Sequence, residues 1–251
     1  MSQVDTQPAH AVPATPERVV GLLSRGQVTL LGRIPWSSNV IFLTSVDDED
    51  LRTLAIYKPR RGETPLWDFP RDTLCLREVA AYVVSQSLGW PLIPPTVLRD
   101  GPHGPGSLQL YIDADPDANY FTLREERLPD LLPLALFDLL ANNADRKGGH
   151  LLLDREGRIW AIDNALTFHP QPKLRTVIWD FAGQSIPNAC QDDLRQLQDR
   201  LVCKSMLRQA LNKLLTKNEI TALQARLGTL LESKVFPHPD PTCRQVPWPM
   251  L

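Results

Sequence analysis

The 251-residue sequence lacks any apolar run that approaches the roughly 20 residues needed to cross a bilayer. It also lacks a secretory leader and any CxxC pair. Its four cysteines stand far apart, at Cys75, Cys190, Cys203 and Cys243. We therefore expect a cytoplasmic protein with reduced thiols and no transmembrane segment.

The sequence carries little net charge, because 27 Lys and Arg residues nearly balance 29 Asp and Glu residues. This balance argues against a general affinity for nucleic acid or for an anionic membrane. Apolar residues make up 43% of the chain, which is ordinary for a globular protein. A chain of this length can bury one good core, or two small lobes that share a cleft.

The first half of the chain is rich in residues that favour strands. Residues 1–15 show no hydrophobic periodicity and predict a disordered arm. Segments 28–33, 39–45 and 51–58 then predict an antiparallel meander, and 94–114 predicts another strand pair around a Gly/Pro turn. Between them, a helical spacing of apolar residues predicts a helix that Thr73 caps and Gly89 ends.

The second half of the chain is mostly helical in pattern. Helices are predicted from residue 129 onward and over about 190–215 and 217–233, while the Pro-rich tail at 236–251 predicts a strap or a loose end. The fold class is therefore α+β. We place a β-rich N-lobe at 16–110 and a small helical C-lobe at 111–235.

The stretch "NNADRKGGHLLLDREGRIWAIDNA", residues 142–165, sets polar groups around two short apolar runs. The runs "LLLD" and "RIWAI", separated by "REG", predict a hairpin. Asp145 precedes the hairpin and Asp163 follows it, so their carboxylates converge at one end. Converging carboxylates call for a cation, and Mg²⁺ completed by substrate phosphates is the usual one. For an isolated Asp pair at this spacing, a solvated hairpin without function is the favoured alternative.

Two charged residues further upstream favour a functional site over a solvated hairpin. Lys58 ends the apolar strand "TLAIYK", where a lone cation is unfavourable unless an anion meets it. Glu78 lies near the apolar face of the predicted helix. Each alone is compatible with a surface charge, but the order lysine, glutamate and two aspartates is harder to dismiss.

The order of elements, with Lys58, Glu78, Asp145 and Asp163, resembles the atypical branch of the protein-kinase-like superfamily. The stretch "ADRKGGHLLLDREGRIWAIDNA" is similar to the "GDRHxxN…HIDFG" region of phosphatidylinositol 3-/4-kinases. Over residues 18–235 the chain resembles a family of uncharacterised actinobacterial proteins commonly labelled as phosphatidylinositol 3-/4-kinase-related. The resemblance implies a two-lobed kinase-like fold that uses ATP with Mg²⁺ or Mn²⁺.

The resemblance also implies roles for single residues. Lys58 would contact the α- and β-phosphates, and Glu78 would hold it. Asp145 would orient or deprotonate the attacking hydroxyl, and Lys147 would lie near the transferred phosphoryl group. Asp163 would bind the metal, although the motif here is Asp-Asn-Ala instead of DFG.

No GxGxxG occurs to cover the phosphates. In its place "LGRIPWSSNVIFL" offers Ser37, Ser38 and Asn39, which can cap a phosphate through hydroxyls and amides but are equally common in a turn. The segment "QLYI", with Gln109 and Tyr111, falls at the implied hinge between the lobes. There the resemblance implies that its backbone groups meet the adenine ring.

The departure from the family pattern is His150, which stands where asparagine would bind a second metal. Three interpretations of His150 are open. It binds a metal, with an altered preference among metals; it contacts the γ-phosphate; or it marks a degenerate site. Histidine suits Mn²⁺ or Zn²⁺ better than Mg²⁺ and binds only when neutral. We favour the first two interpretations because the other site residues are retained; Asn143 or Asn164 is an alternative source of the amide oxygen.

Two further features bear on the acceptor. "WDFAG", residues 179–183, imitates DFG but lies too far beyond Asp145, so Trp179 and Phe181 are predicted to pack. The segment 166–187 is short and has no APE-like ending, which favours a small molecule or lipid head group over a peptide. Arg146 is predicted either to pair with a neighbouring carboxylate or to act directly.

The sequence thus predicts an ATP- and divalent-metal-dependent phosphotransferase acting on a hydroxyl of a small molecule, lipid head group or protein. A nucleotide-binding pseudokinase with a regulatory or scaffold role is the alternative from another class, for which His150 is the evidence. A third hypothesis keeps the fold but transfers AMP. The predicted partners are nucleotide and an acceptor, without nucleic acid.

Overall fold

The computed structural model describes residues 15–35, 38–202 and 204–251. The predicted disordered arm therefore lies outside the described residues except for Thr15. The side chain of Thr15 accepts a hydrogen bond from the Arg18 amide at 3.3 Å and so caps the first helix, α1 (Pro16–Arg25).

Five antiparallel strands form the sheet of the N-lobe, in the order β1-β2-β3-β5-β4. The strands are β1 (Gln27–Arg33), β2 (Phe42–Asp47), β3 (Arg52–Pro59), β4 (Thr96–Gly101) and β5 (Gly104–Leu110). The predicted meander and the later strand pair are both confirmed. β5 inserts beside β3, so that Lys58 at the end of β3 stands opposite Ser107.

Helix α2 (Leu74–Ser87) follows an irregular insertion, as predicted, and Gly89 with φ of +73° ends it. Thr73 holds the N-cap position as predicted, but its hydroxyl donates to the Pro70 carbonyl at 2.7 Å and makes no capping bond. Glu63 in the insertion caps the helix instead, because its carboxylate accepts from the amides of Leu74 (3.1 Å) and Cys75 (2.8 Å). A carboxylate also suits the positive end of the helix dipole.

The C-lobe contains a short hairpin and five helices among the described residues. They are α3 (Tyr120–Arg127), α4 (Leu132–Ala141), β6 (Leu151–Leu153), β7 (Ile159–Ala161), α5 (Asn188–Arg200), α6 (Met206–Leu211) and α7 (Lys217–Ser233). Short 3₁₀ turns lie at Arg60–Gly62, Leu128–Leu131 and Gly148–His150. The single helix predicted over 190–215 is wrong, because Ser205 caps a new helix by accepting from the Arg208 amide at 2.9 Å.

The two larger of the three hydrophobic clusters among the described residues match the two lobes. The smaller packs α1 against the sheet, with Leu22, Leu23, Tyr57 and Leu108 buried. The larger joins the C-lobe helices and also takes in Ala80, Ala81 and Val84 on α2. Because α2 contributes to the larger core and also borders the sheet, it fixes the position of Glu78 relative to both lobes. In the described part of the chain, no helix has the length and apolarity needed to span a membrane.

The Pro-rich tail lies along the C-lobe as a strap. The carbonyl of Phe236 accepts from the Gly183 amide at 2.9 Å, and the carbonyl of Gln245 accepts from the Thr176 amide at 3.1 Å. Further on, the carbonyl of Met250 accepts from the Gly148 amide at 2.7 Å. The last contact braces the turn that follows Asp145.

Candidate active site

Lys58, Glu78 and Asp163 meet in the cleft between the lobes. The Lys58 ammonium donates to Glu78 Oε1 and lies 3.1 Å from Asp163 Oδ1. The second oxygen of Glu78, Oε2, accepts from the Asn164 amide at 3.0 Å. Glu78 therefore holds both the strand lysine and the end of the β6-β7 hairpin, which fixes Lys58 beside Asp163.

The same contacts keep these groups charged. Burial lowers the pKa of Lys58, but Glu78 and Asp163 outweigh it, and the pKa lies above its usual value. Lys58 in turn lowers the pKa of Asp163 well below its usual range. A lysine cation and an aspartate anion at neutral pH are what a phosphate contact and a metal ligand require.

The hairpin brings Asp145 and Asp163 to one end, and the predicted pairing of its strands is confirmed. β6 and β7 pair in register from Leu151 opposite Ala161 to Leu153 opposite Ile159. At the far turn, Asp154 accepts bonds from the amides of Glu156 and Arg158 and from the Trp160 indole. The Asp154 carboxylate therefore stabilises the turn itself, at the end of the hairpin opposite Asp145 and Asp163.

Asp145 lies on the loop before the hairpin, with its side chain 30% exposed. Its amide donates to Asn143 Oδ1 at 3.0 Å, and its carboxylate oxygen Oδ2 lies 3.4 Å from Lys147 Nζ. Burial raises the pKa of Asp145, although Lys147 opposes the shift. A carboxylate with a raised pKa is a better proton acceptor than an ordinary surface aspartate.

Arg146 points away from the cleft and is fully buried. Its guanidinium contacts both carboxylate oxygens of Asp138 on α4 at 3.1 to 3.2 Å, Asn164 Oδ1 at 2.5 Å and the Ile162 carbonyl at 2.7 Å. Sequence reasoning expected a neighbouring carboxylate and missed Asp138. The available signal was a lone aspartate inside the apolar helical stretch "LALFDLLA".

His150 lies against Asp163 with its side chain 14% exposed. The Lys147 amide donates to His150 Nδ1 at 3.3 Å, while Nε2 is 3.4 Å from Asp163 Oδ2. Burial lowers the pKa of His150 to about 4, despite the opposing charge of Asp163. The ring is therefore neutral at pH 7.

Neither asparagine considered from the sequence supplies the missing oxygen ligand. Asn143 and Asn164 are both fully buried. The side-chain oxygen of Asn143 accepts from the Asp145 amide, and that of Asn164 accepts from Arg146. Both amides fix the loop and the hairpin.

An apolar cleft of about 260 Å³ opens beside this constellation. Its polar lining is Lys58, Gln109, Tyr111, His150 and Asp163, and its apolar lining is Ile34, Ile41, Ile56, Leu110, Ile112, Leu152 and Ile162. The buried amide of Gln109 donates to Thr96 at 2.8 Å, and the Tyr111 N–H donates to the Leu54 carbonyl at 3.0 Å. The Tyr111 N–H thus belongs to the sheet, while the contact of the segment's backbone groups with an adenine ring stays a prediction.

A second pocket, of about 120 Å³, shares Asp163 with the first. It is lined by Ser38, Asn39, Thr64, Leu66, Leu74, Asp145, Asp163, Ala165 and Leu166. The Asn39 side chain accepts from the Thr64 amide at 2.7 Å, and the Ser38 carbonyl accepts from the Thr64 hydroxyl at 2.5 Å. These bonds anchor the predicted phosphate loop to the insertion. Ser37 lies outside the described residues.

The site residues fit a divalent metal only with help from a ligand. Within the described ranges, no three His, Cys, Asp or Glu side chains converge to hold an ion. Asp145 and Asp163 both face the second pocket, and the Asp163 side chain is 47% exposed. One or two carboxylates completed by phosphate oxygens and water suit Mg²⁺ or Mn²⁺.

Comparison with known proteins identifies the fold. No family model matches the chain. Protein Rv2133c of Mycobacterium tuberculosis is 38% identical over 265 residues, which cover 91% of this chain and 94% of that protein. The structure of hydra Fam20 with sugar matches with a TM-score of 0.56 and 16% identity, covering 86% of this chain and 88% of its own. The Golgi casein kinase with Mn/ADP bound matches with a TM-score of 0.55 and 13% identity, covering 91% and 80%. The predicted two-lobed, atypical kinase-like α+β fold is confirmed.

Proposed function

The chain belongs to the family of Protein Rv2133c of Mycobacterium tuberculosis, and we propose that it is an ATP- and divalent-metal-dependent phosphotransferase acting on a hydroxyl group. One observation carries the proposal. Asp163 lines both the apolar cleft that contains Lys58 and the smaller pocket that contains Asp145. A phosphoryl group bound at Asp163 would therefore lie between a nucleotide and an acceptor.

The nucleotide would lie in the apolar cleft between the proposed lobes, residues 16–110 and 111–235. Its adenine ring would pack against Ile34, Ile56 and Leu152, while Lys58 would reach the phosphates. The structural neighbour with Mn and ADP bound supports a nucleotide in a cleft of this fold. Glu78 keeps Lys58 charged and oriented, so the phosphate contact is organised before the nucleotide binds.

The chemistry would take place in the smaller pocket. Asp145 would accept the hydrogen bond of the acceptor hydroxyl and take its proton as the new bond forms. Lys147, beside Asp145, would meet the charge of the transferred group. Asp163 would hold the divalent ion, which neutralises phosphate charge when bound.

Replacement of Asp163 tests this proposal. Asp163→Asn should lower metal-dependent ADP release by on the order of 100-fold, since it removes a charged group from the reacting phosphates. The measurement is ADP production with Mn²⁺ and ATP, together with the melting temperature in the presence of both. Asp113→Asn, at an exposed carboxylate that pairs with Arg155, is the matched control and should behave as the wild type. Equal activity in the two variants would refute the proposal.

The alternative of a pseudokinase rests on His150 and on Asn164 and Ala165 after Asp163. It predicts that nucleotide raises the melting temperature while no divalent metal supports turnover. AMP transfer, the third hypothesis, is separated by the mass of the modified acceptor. The acceptor class, the finer resemblance to phosphatidylinositol 3-/4-kinases and the cytoplasmic location all stay predictions from the sequence.

A further inference from the structure

A further cavity, of about 160 Å³, lies against the insertion that precedes α2, residues 60–72. We call it the insertion cavity. Its lining includes Thr64, Leu66 and Leu74, and the same three residues line the smaller pocket that contains Asp145. Because the insertion cavity adjoins the pocket where we place the chemistry, it can receive the body of the acceptor molecule.

Two polar side chains in the wall of the insertion cavity are already engaged by the protein. The carboxylate oxygens of Glu63 accept from two amides at the start of α2, those of Leu74 at 3.1 Å and Cys75 at 2.8 Å. The Thr64 hydroxyl donates to the Ser38 carbonyl at 2.5 Å. A polar ligand would therefore have to compete with hydrogen bonds that hold the fold.

The rest of the lining is apolar inside and charged at the mouth. Pro65, Leu66 and Phe69 supply apolar surface. Arg71 and Asp72 also line the cavity, but both are exposed and so lie at its mouth. An apolar cavity of roughly 150 Å³ accepts a ring the size of benzene. The insertion cavity therefore fits an apolar group of about that size.

The insertion that forms this wall is tied to the C-lobe. Asp68 Oδ2 lies 2.8 Å from Lys173 Nζ, and the two side chains are only 17% and 13% exposed. The rings of Phe69 and His169 meet edge to face with their centroids 5.2 Å apart. A wall that is already held in place needs little ordering when a ligand binds, which favours affinity for a small molecule.

Leu66 connects the wall of the insertion cavity to the catalytic loop. It packs against a buried cluster that includes Leu74, Ala144 and Ala165. Ala144 immediately precedes Asp145 in the chain. Leu66 thus lies where an acceptor extends from the insertion cavity to Asp145.

We propose that the insertion cavity selects the acceptor, and that the acceptor is an alcohol with an apolar body. Its ring or aliphatic chain packs against Leu66 and Phe69, while its hydroxyl lies at Asp145. The acceptor oxygen bonds to the γ-phosphorus of ATP, the bond from that phosphorus to the bridging oxygen breaks, ADP leaves, and the hydroxyl proton passes to Asp145. This inference rests on the proposed function for its chemistry, but the apolar site is a property of the protein alone. A sugar or an inositol head group is the competing class, since it has no apolar body to fill the cavity.

Binding of 3-phenyl-1-propanol in the absence of nucleotide tests the site directly. Saturation-transfer NMR should detect the phenyl ring on the wild type, whereas myo-inositol at the same concentration should give no signal. Leu66→Gln should weaken binding of the alcohol by about tenfold, because it places an amide against the apolar body. Leu66→Met should bind as the wild type, since methionine keeps an apolar side chain of similar volume.

Leu98→Gln is the matched control, because it makes the same substitution at an exposed leucine of β4 and should bind the alcohol as the wild type does. The inference is overturned if the wild type gives no signal from the alcohol, or if Leu66→Gln binds it as tightly as the wild type. Binding of myo-inositol in preference to the alcohol would also overturn it.

Phosphate transfer to the same two probes separates this inference from the proposed function. With Mn²⁺ and ATP, mass spectrometry should find more phosphate ester of 3-phenyl-1-propanol than of myo-inositol. More inositol phosphate, or neither ester in a protein that releases ADP, would overturn the inference and leave the phosphotransferase standing. Absence of ADP release in a protein that binds the alcohol would instead overturn the proposed function and leave the apolar site in place.

Discussion

Arg77 and Glu78 are neighbours on α2, yet their side chains reach different parts of the molecule. Arg77 is buried; it pairs with Glu219 at the start of α7 and donates to the Thr167 carbonyl at 2.5 Å. Glu78 turns to the cleft, where it meets Lys58 and the Asn164 amide. One residue fixes α2 to the C-lobe, and the next one orients the lysine.

The catalytic loop repeats this division. Arg146 is buried against Asp138, whereas Lys147 lies partly exposed beside Asp145. Buried pairs whose lone pairs and protons are all used stabilise the arrangement of elements but have no capacity left for a ligand. Lys58, Asp145 and Asp163 instead line the two pockets, and this difference separates structural charges from site charges.

Breaking the Arg146 pair should have the largest effect on stability. Arg146→Ala leaves the Asp138 carboxylate buried without its cation, which should lower the free energy of unfolding by about 3 to 5 kcal/mol. Urea denaturation measures the loss. The neighbouring Lys147→Ala removes a partly exposed pair and should lower it by less than about 1 kcal/mol. Similar losses in the two variants would abolish the distinction between these neighbours.

The pair on α2 separates stability from nucleotide affinity. Glu219→Gln should lower the free energy of unfolding by about 3 kcal/mol, because Arg77 loses its buried anion. Glu78→Gln should lower it less, since Lys58 keeps Asp163, but should weaken binding of Mn²⁺ and ATP about tenfold, or about 1.4 kcal/mol. Calorimetric titration below the unfolding temperature compares their affinities. If the two variants lost the same affinity for Mn²⁺ and ATP, Glu78 would not contribute specifically to nucleotide binding.

Sequence patterns could predict the local part of this arrangement. The strand that ends at Lys58, the helix that carries Glu78 and the hairpin between Asp145 and Asp163 all follow from short-range periodicity and turn residues. The convergence of the four then follows from the order of elements in the resembled family. Roles assigned to the residues, in contrast, depend on the proposed function.

The partners of the buried arginines could not be predicted in the same way. Arg77 and Glu219 are 142 positions apart, and no local pattern connects them. Glu63, and not the Thr73 hydroxyl, accepts the capping hydrogen bonds of α2 because the insertion folds back onto the helix. The hydrogen bond that His150 Nδ1 accepts depends on the direction of one backbone amide, that of Lys147, which the identity of the residues does not reveal.

The pH dependence of stability provides a further comparison, at His150. Burial lowers the pKa of His150 to about 4, below the value of about 6.5 in an unfolded chain. Between these values the unfolded chain binds a proton that the folded protein does not, so the free energy of unfolding falls as the pH falls. The full loss amounts to at most about 3 kcal/mol and should largely disappear in His150→Asn.

Urea denaturation at pH 7 and pH 4.5 measures this loss. The raised pKa of Asp145 largely cancels in the comparison, because both proteins contain that residue. His103→Asn, which replaces an exposed histidine, is the matched control. If His150→Asn retained the wild-type slope, the imidazole would not be a buried neutral group, and the division between structural charges and site charges would fail at the residue where the two sets meet.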